Sequence, residues 1–278
     1  MTVNVTKYDG TKQAFNREKI IRTATRMGAT RQAAEQIVDE IENKAYDGIT
    51  TRKILQMLYT RLKKHRPTLK HQIDLRRALS LLNSAPDFEQ YIQQLLREHG
   101  YQVTPNQIIQ GKCVQHEVDA IATKNNRTCF VEVKHHIKYH TPTGLDIPRI
   151  ARAVLEDITE GHQLGQNNHK IDYAMIVCNT KLSDYAKQYA DCRKISHIGW
   201  SSPQNQDLQT MIETKKLYPI TILKGLNTYT RNQLTSNGII TLKQLTEKSL
   251  PELKHKTGIH KNKLEPILEA ARAILSEN

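Results

Sequence analysis

A glutamate and a lysine two positions apart, Glu132 and Lys134, interrupt an apolar segment that contains Cys129, Val131 and Val133. Because alternate side chains of a strand share a face, Glu132 and Lys134 would point the same way, about 6.5 Å apart along the strand. Charged side chains among apolar residues cost desolvation free energy unless they are paired or used in chemistry. The segment therefore predicts a strand that carries a functional charged pair.

Asp119 supplies a second carboxylate in the preceding strand-like segment, where Val118 and Ala120 predict the opposite, apolar face. A polar turn over 124–127 joins the two segments, so pairing as a hairpin would bring Asp119 beside Glu132. Two such carboxylates can hold Mg²⁺ or Mn²⁺, which prefer hard oxygen ligands. The ion would activate a water and neutralise charge on a phosphate, and a nearby lysine would orient that water or stabilise the transition state. These residue types predict metal-dependent hydrolysis of a phosphodiester.

The same residues also allow interpretations without chemistry. A Glu-x-Lys pair is common on solvated strand faces, so alone it is a weak signal. His135 and His136 follow the pair and could contact a metal, act as an acid, lie at the surface or contact a DNA backbone. The acidic side chains of the next predicted helix, Asp157 and Glu160 among them, are expected to form a solvated face.

The charge of the chain favours a polyanionic partner. Among its 278 residues, 41 Lys and Arg oppose 28 Asp and Glu, which gives a formal net charge of +13. Such a surplus attracts polyanions and releases their counterions on contact, and nucleic acid is the common polyanion inside cells. A basic surface that serves only solubility is the alternative.

Composition also argues against other classes of protein. No stretch reaches about 18 consecutive apolar residues, so we expect no membrane span. The four cysteines show neither zinc-ligand spacing nor the density of a disulfide framework. Both features fit a protein of the reducing cytoplasm.

The elements that would position these residues form three predicted domains, over 1–83, 84–216 and 217–278. In the middle domain, Ser84 is expected to cap a helix that continues through Pro86 and Asp87 and ends at Gly100. The remaining pattern predicts strands over 114–123, 128–134, 173–178 and 195–198, and helices over 147–160 and 183–192. The middle domain is therefore predicted to be α/β.

The two outer domains are predicted to be mainly helical. In the first, a short strand and hairpin precede helices over 16–27, 31–45, 51–65 and 68–82. In the last, short helices alternate with turns centred on Gly225, Gly238 and Gly258.

Residues 86–200 resemble the PD-(D/E)XK nuclease superfamily and, within it, the Mrr-like restriction endonuclease domain. The resemblance rests on FE at 88–89, GYQV at 100–103, VD at 118–119 and EVK at 132–134. It implies an α/β restriction-endonuclease-like fold, with a mixed sheet flanked by helices. It also implies that Asp119 and Glu132 bind the metal, that Lys134 serves catalysis and that Glu89 supports the site.

The N-terminal domain resembles the ATP-cone, a nucleotide-sensing module. The matching segments are VTKYDG at 5–10, FNREKI at 15–20, YDGITT at 46–51 and LRRAL at 75–79. The resemblance implies that ATP or dATP is bound by Val5, Lys7, Asn16, Lys19 and Thr51. The chain has no phosphate-binding loop of the GxxxxGK[ST] type, so ATP hydrolysis is not indicated. A degenerate docking module is the alternative.

The C-terminal domain resembles paired helix-hairpin-helix motifs, through LKGL at 223–226 and a Leu253-to-Ile259 segment that contains Thr257 and Gly258. Such hairpins expose backbone N–H groups that suit a DNA phosphate. Positive charge surrounds the second copy, at Lys254, His255, Lys256, His260, Lys261 and Lys263. A purely structural or protein-binding helical domain is the alternative.

These observations together predict a cytoplasmic, Mg²⁺-dependent DNA endonuclease that acts on double-stranded DNA and senses ATP or dATP as an effector. The main alternative is a catalytically silent DNA-binding protein that keeps the nucleotide-sensing module. A regulator of nucleotide metabolism is a further alternative, which the positive charge opposes. Because one such site cuts one DNA strand, a homo-oligomer is also considered. No feature of the sequence indicates an oligomer.

Overall fold

The computed structural model describes residues 3–27, 29–65 and 67–276. The chain forms two compact units, of which the first ends at Gln72 and also includes the chain from Arg272 onward. The second unit runs from Ile73 to Ala271. Among the described helices, none is both long enough and apolar enough to span a bilayer.

The first unit combines a small sheet with three helices. Strand β1 (Asn4–Thr6) pairs antiparallel with β2 (Lys12–Ala14) and parallel with β3 (Ile49–Thr50). The helices are α1 (Arg17–Arg26), α2 (Arg31–Glu42) and α3 (Thr51–His65). Asn16 and Thr30 cap α1 and α2 by accepting backbone N–H bonds, as their polar side chains favour. Apolar faces of the helices and strands enclose one core.

The prediction of a single helix over 68–82 is wrong. A 3₁₀ turn (Pro67–His71) is followed by a separate short helix, α4 (Leu75–Ser80). Between them the backbone N–H of Ile73 donates to the carbonyl of Ile222, and Asp74 caps α4 by accepting from the Arg77 N–H. The chain therefore leaves the helical path to bond with a distant segment of the second unit.

A five-stranded mixed sheet forms the centre of the second unit, in the order β4-β5-β6-β7-β8. The strands are β4 (Gln102–Gln110), β5 (Gln115–Lys124), β6 (Arg127–Lys134), β7 (Tyr173–Cys178) and β8 (Ser196–Ile198). The first three are antiparallel, and β6, β7 and β8 are parallel. Helices α5 (Glu89–Glu98), α6 (Asp146–Gln163) and α7 (Asp184–Cys192) flank the sheet. The predicted α/β fold is confirmed.

The predicted cap of α5 is wrong. A single π-type turn (Ser84–Phe88) precedes α5, and Ala85 within it is extended, with φ −126° and ψ 138°. Ser84 Oγ lies 3.0 Å from His135 Nδ1 instead of closing the helix. The buried Asp87 carboxylate accepts from the Asn83 amide at 2.8 Å, which ties this turn to the preceding chain.

The helices that follow the sheet along the chain show the predicted alternation of helix and glycine turn. They are α8 (Leu208–Lys215), α9 (Thr228–Thr235), α10 (Leu242–Thr246), α11 (Leu250–Thr257) and α12 (Lys261–Ser276). Gly225, Gly238 and Gly258 have φ of +83°, +72° and +66°, a conformation that glycine adopts without a steric penalty. A 3₁₀ turn (Ile220–Ile222) lies ahead of α9.

Candidate active site

The hairpin of β5 and β6 brings Asp119 to the start of the Glu-x-Lys segment. The strand register runs to Ala120↔Val131, so one further step places Asp119 opposite Glu132. There the Asp119 side chain accepts the backbone N–H of Val133 at Oδ2, 2.6 Å away. The carboxylate thus accepts a backbone N–H of β6, as a main-chain carbonyl of a neighbouring strand would. This hydrogen bond holds the Asp119 side chain next to Glu132.

Glu132 and Lys134 share one face of β6, as their spacing predicts. Lys134 Nζ lies 2.6 Å from Glu132 Oε1, and the two side chains are 37% and 20% exposed. Burial opposes the charge of Lys134, but its bond to Glu132 and the charges of Glu132, Asp119 and Asp146 outweigh that effect and raise its pKa. The ammonium is therefore fully charged at neutral pH, close to both carboxylates.

Glu89, the first residue of α5, joins the same electrostatic cluster. Burial raises its pKa, and the negative charges of Glu117 and Glu132 add to the rise, while a bond from Asn106 and the charge of Lys134 oppose it. Glu89 thus lies near enough to Glu132 and Lys134 to be affected by their charges, and its own charge acts on Asp119. The four candidate site residues named from the sequence therefore lie in one region of the fold.

Burial raises the pKa of Asp119 to about 6. Burial is the largest cause of this rise; the nearby charges of Glu132 and Glu89 contribute to it, whereas the Val133 N–H bond and Lys134 oppose it. Because this cluster contains several carboxylates and one lysine, it has an excess of negative charge in a partly buried region of the protein. A cation bound between them would offset that charge.

The donors of this cluster fit a hard divalent cation. Val133 occupies one oxygen of Asp119 and Lys134 one oxygen of Glu132, so each carboxylate keeps a second oxygen. Within residues 3–27, 29–65 and 67–276, no three His, Cys, Asp or Glu side chains converge as a complete ligand set. Water or substrate oxygens would supply the remaining ligands, which suits Mg²⁺ because it usually keeps several waters.

The two histidines after the pair make structural contacts. His135 lies between Ser84 Oγ and the Leu79 carbonyl, each 3.0 Å from a ring nitrogen. His136 Nε2 lies 3.1 Å from Thr143 Oγ1, and the Asn179 amide bonds both backbone groups of His136. These contacts hold the chain where it leaves β6, immediately after Lys134.

The expectation of a solvated acidic face on α6 is wrong for Asp157. Asp157 accepts from His116 Nε2 at 2.8 Å and from the backbone N–H groups of Cys113 and Val114. These bonds, with the His116 bond first, hold the Asp157 pKa well below its usual range. Glu160 pairs with Lys112 at 2.8 Å. Both acids fasten α6 to the loop between β4 and β5.

Sequence reasoning missed Gln93 and Asn106, which surround Asp119. Gln93 is almost fully buried on α5, and its amide donates to the Asp119 carbonyl at 2.9 Å. Asn106 has φ of +42° within β4. The tolerance of Asn for left-handed backbone is the one signal in the sequence, and it gives no indication of which residue it serves.

The residues predicted to bind a nucleotide lie in the first unit, at the ends of its strands and helices. Val5 is buried in β1, and Thr51 at the start of α3 donates to the carbonyl of Thr6 at 3.2 Å. Asn16 Oδ1 accepts from the Lys19 N–H at 2.9 Å. Lys7 and Lys19 have exposed side chains. The structure joins β1 to α3 and leaves both lysines accessible to an anion.

The basic residues around the second predicted hairpin are all exposed. They lie on α11, on α12 and in the turn between them, at Lys254, His255, Lys256, His260, Lys261 and Lys263. Gly258 makes the turn in the left-handed conformation. The positive charge predicted for this segment therefore faces solvent.

Comparison with known families finds a related family for each of three parts of the chain. Residues 82–199 match the family model described as restriction endonuclease, of the Mrr catalytic type. The second unit carries an Mrr-type restriction endonuclease domain. Residues 3–80 match the ATP cone domain, and residues 218–275 match the family described as AF1548-like, C-terminal. The helix-hairpin-helix prediction is not confirmed by these matches.

Two comparisons extend beyond a single domain. An uncharacterised protein of Archaeoglobus fulgidus is 29% identical over 181 residues, which cover 65% of this chain and 98% of that protein. The crystal structure of a protein of unknown function, AF1548, matches with a TM-score of 0.58 and 28% identity. That match covers 68% of this chain and 97% of the other. Each similarity therefore extends over about two thirds of this chain.

Proposed function

We propose that this chain is a divalent-metal-dependent DNA endonuclease in which Asp119 and Glu132 hold the ion and Lys134 acts on the scissile phosphate. The convergence of these three side chains at one end of the β5–β6 hairpin carries the proposal. The restriction endonuclease match supports it, and the positive charge of the chain supports nucleic acid as the substrate.

Each residue has a distinct role in this proposal. The ion, when bound, supplies an activated water and neutralises charge on the phosphate. Asp119 and Glu132 hold it through the oxygens that Val133 and Lys134 leave available. Lys134, kept charged by its surroundings, can move from Glu132 to the non-bridging phosphate oxygens as negative charge develops there. Glu89 adds negative charge near Asp119, and this charge favours the binding of a cation.

The ATP cone match supports a regulatory role for ATP or dATP at Val5, Lys7, Asn16, Lys19 and Thr51. In this proposal the nucleotide is sensed and not cleaved. The exposed basic residues of α11 and α12 supply a DNA-backbone contact, whether or not they form a helix-hairpin-helix. Double-stranded DNA is the proposed substrate.

Plasmid nicking tests the proposed activity. Supercoiled DNA should be converted to nicked and linear forms by the wild-type chain with Mg²⁺ or Mn²⁺, and not with EDTA. Asp119→Asn and Lys134→Ala should each lower the rate by at least about 10²-fold, because each removes an ion ligand or a transition-state contact. Asp184→Asn and Lys187→Ala, which change exposed residues on α7, should cut normally.

A gel-shift assay on the same plasmid separates the alternatives. If the wild-type chain retards DNA but cuts none of it with either ion, the proposal fails and a catalytically silent DNA-binding protein is the better description. Cutting by Asp119→Asn at the wild-type rate would also contradict the proposed site.

A further inference from the structure

Strand β5 lacks its regular neighbours at Asp119. The register with β4 passes from Pro105↔Ala120 to Gln107↔Val118 and leaves Asn106, opposite Asp119, out of the pairing. On the other side, the register with β6 ends at Ala120↔Val131. Among the described strands, Asp119 is thus the position where both ladders of β5 are interrupted.

Gln93 fills the gap on the β4 side. Its side-chain amide nitrogen donates to the Asp119 carbonyl at 2.9 Å and to Asn106 Oδ1 at 3.2 Å, and the residue is 3% exposed. A buried carbonyl without a partner costs free energy, so an apolar side chain of equal size could not replace this amide without loss. Gln93 reaches across from α5, one turn after Glu89.

Asn106 completes the arrangement. Its backbone is left-handed, with φ of +42°, at the position where the pairing of β4 with β5 is interrupted, and its side chain bonds with both Gln93 and Glu89. One amide thereby links two residues of α5 to the strand beside Asp119. Asp119 is fixed at its carbonyl by Gln93 and at its carboxylate by Val133.

We propose that Gln93 and Asn106, together called the amide clamp, are positioning residues that fix Asp119 for binding a divalent cation. The proposal rests on the function proposed above. Groups that hold a metal ligand from behind set its orientation, and their loss usually weakens metal affinity or activity by about 10- to 100-fold. The clamp makes no contact with the ion itself.

Mn²⁺ binding measured by electron paramagnetic resonance of the free ion tests the clamp on the full chain. Gln93→Met keeps the length of the side chain and removes the amide. We expect the Mn²⁺ concentration at half-saturation to rise about 10-fold or more, with nicking activity partly restored at high Mn²⁺. Gln94→Met, which changes the adjacent, less buried glutamine of α5, should behave as wild type.

Asn106→Gly provides an independent variant, because glycine keeps the left-handed backbone and removes only the side chain. It should shift Mn²⁺ half-saturation in the same direction as Gln93→Met. Thermal melting of both variants shows whether they are folded, and Asn106→Gly carries the test if Gln93→Met does not fold. A merely structural role would lower the melting temperature without moving the Mn²⁺ midpoint.

The outcomes separate the clamp from the proposed activity. If folded variants bind Mn²⁺ as the wild type does, the proposed role of the amide clamp is wrong, and the proposed nuclease activity is unaffected. If the variants bind more weakly but the wild type cuts no DNA, the clamp stands and the nuclease proposal fails. If the wild type binds no Mn²⁺, both are overturned.

Discussion

At the scale of single residues, the carboxylate of Asp119, a ligand in the proposed ion site, lowers the stability of the folded state when it is charged. Its pKa in the folded chain is about 6, against an ordinary value of 3.8, mainly because it is buried. Above that pKa the folded state must carry a charge that the unfolded chain carries more easily. The folded state binds the extra proton between the two values, so stability falls as pH rises through that window and stays lowered above it.

Asp119→Asn should therefore stabilise the ion-free protein at pH 8 although it lowers the proposed nicking activity. The gain should be about 1–2 kcal/mol, less than the full shift implies because Asp119 is only partly buried. Asn still accepts the Val133 N–H, so the local geometry is kept. Urea unfolding at pH 8 and pH 4 measures the difference, which should nearly vanish at pH 4. Asp184→Asn should show no such pH dependence, and an equal gain at both pH values would contradict burial of the charged carboxylate as the cause.

At the scale of elements, the hairpin and its charged pair could be predicted because strand periodicity alone places Glu132 with Lys134. Strand β4 was missed beyond its first residues because its sequence is polar and contains Pro105, and both features are unusual within a strand. The roles of Gln93 and Asn106 could not be predicted, since each depends on a hydrogen bond between α5 and the sheet. The break before α4 likewise depends on the distant Ile222 carbonyl.

Helix α6 packs closely against the end of β4 and the loop after it, so a larger side chain at this contact should destabilise the protein. A side chain at Gly161 would place its Cβ 2.7 Å from the carbonyl carbon of Gly111 and 2.9 Å from Gln110 O and Lys112 N. These are backbone atoms, which cannot rotate away. Gly161→Ala should lower the free energy of unfolding by about 1–3 kcal/mol, measured by urea unfolding. Glu160→Ala, which removes only the exposed pair with Lys112, should cost about 0.5 kcal/mol or less; a similar loss in both variants would contradict the packing argument.

At the scale of the whole molecule, three family matches divide the chain into a part similar to the ATP cone, a part similar to restriction endonucleases and a C-terminal part. The sequence was sufficient to recognise the first two because their motifs are short and ordered along the chain. The identity of the third was harder to infer, since glycine turns between short helices occur in many helical domains. The domain limits at 83 and 216 remain predictions.

Binding of DNA should depend steeply on salt because the net charge is +13. The variant Lys256→Ala/Lys261→Ala should reduce the magnitude of the slope of log affinity against log salt by about 2, since each lysine is expected to neutralise about one phosphate. Fluorescence anisotropy of a labelled duplex between about 50 and 200 mM salt measures this. Lys187→Ala should leave the slope unchanged. If the paired variant also keeps the wild-type slope, α11 and α12 are not the DNA contact.

Nucleotide binding should follow the exposed lysines of the first unit. Lys19→Ala should weaken ATP or dATP binding about 10-fold or more in calorimetry, because it removes a charge from the first turn of α1. Lys63→Ala, an exposed lysine near the end of α3, serves as the control. If saturating ATP changes the nicking rate of the wild type but not of Lys19→Ala, the nucleotide acts as an effector. Equal affinities for both variants would contradict the assignment.

Strand β4 is an outer strand of its sheet, and Ile108 on it is 69% exposed. An open strand of this kind offers unpaired backbone groups to any passing chain and is a common starting point for aggregation. Pro105 has no N–H to offer, and Asn106 has a left-handed backbone at which the regular pairing of β4 is interrupted. The interruption of β4 beside Asp119 therefore also shortens the strand edge with which another chain could pair. A substitution that restored a regular strand there would make the protein more prone to self-association.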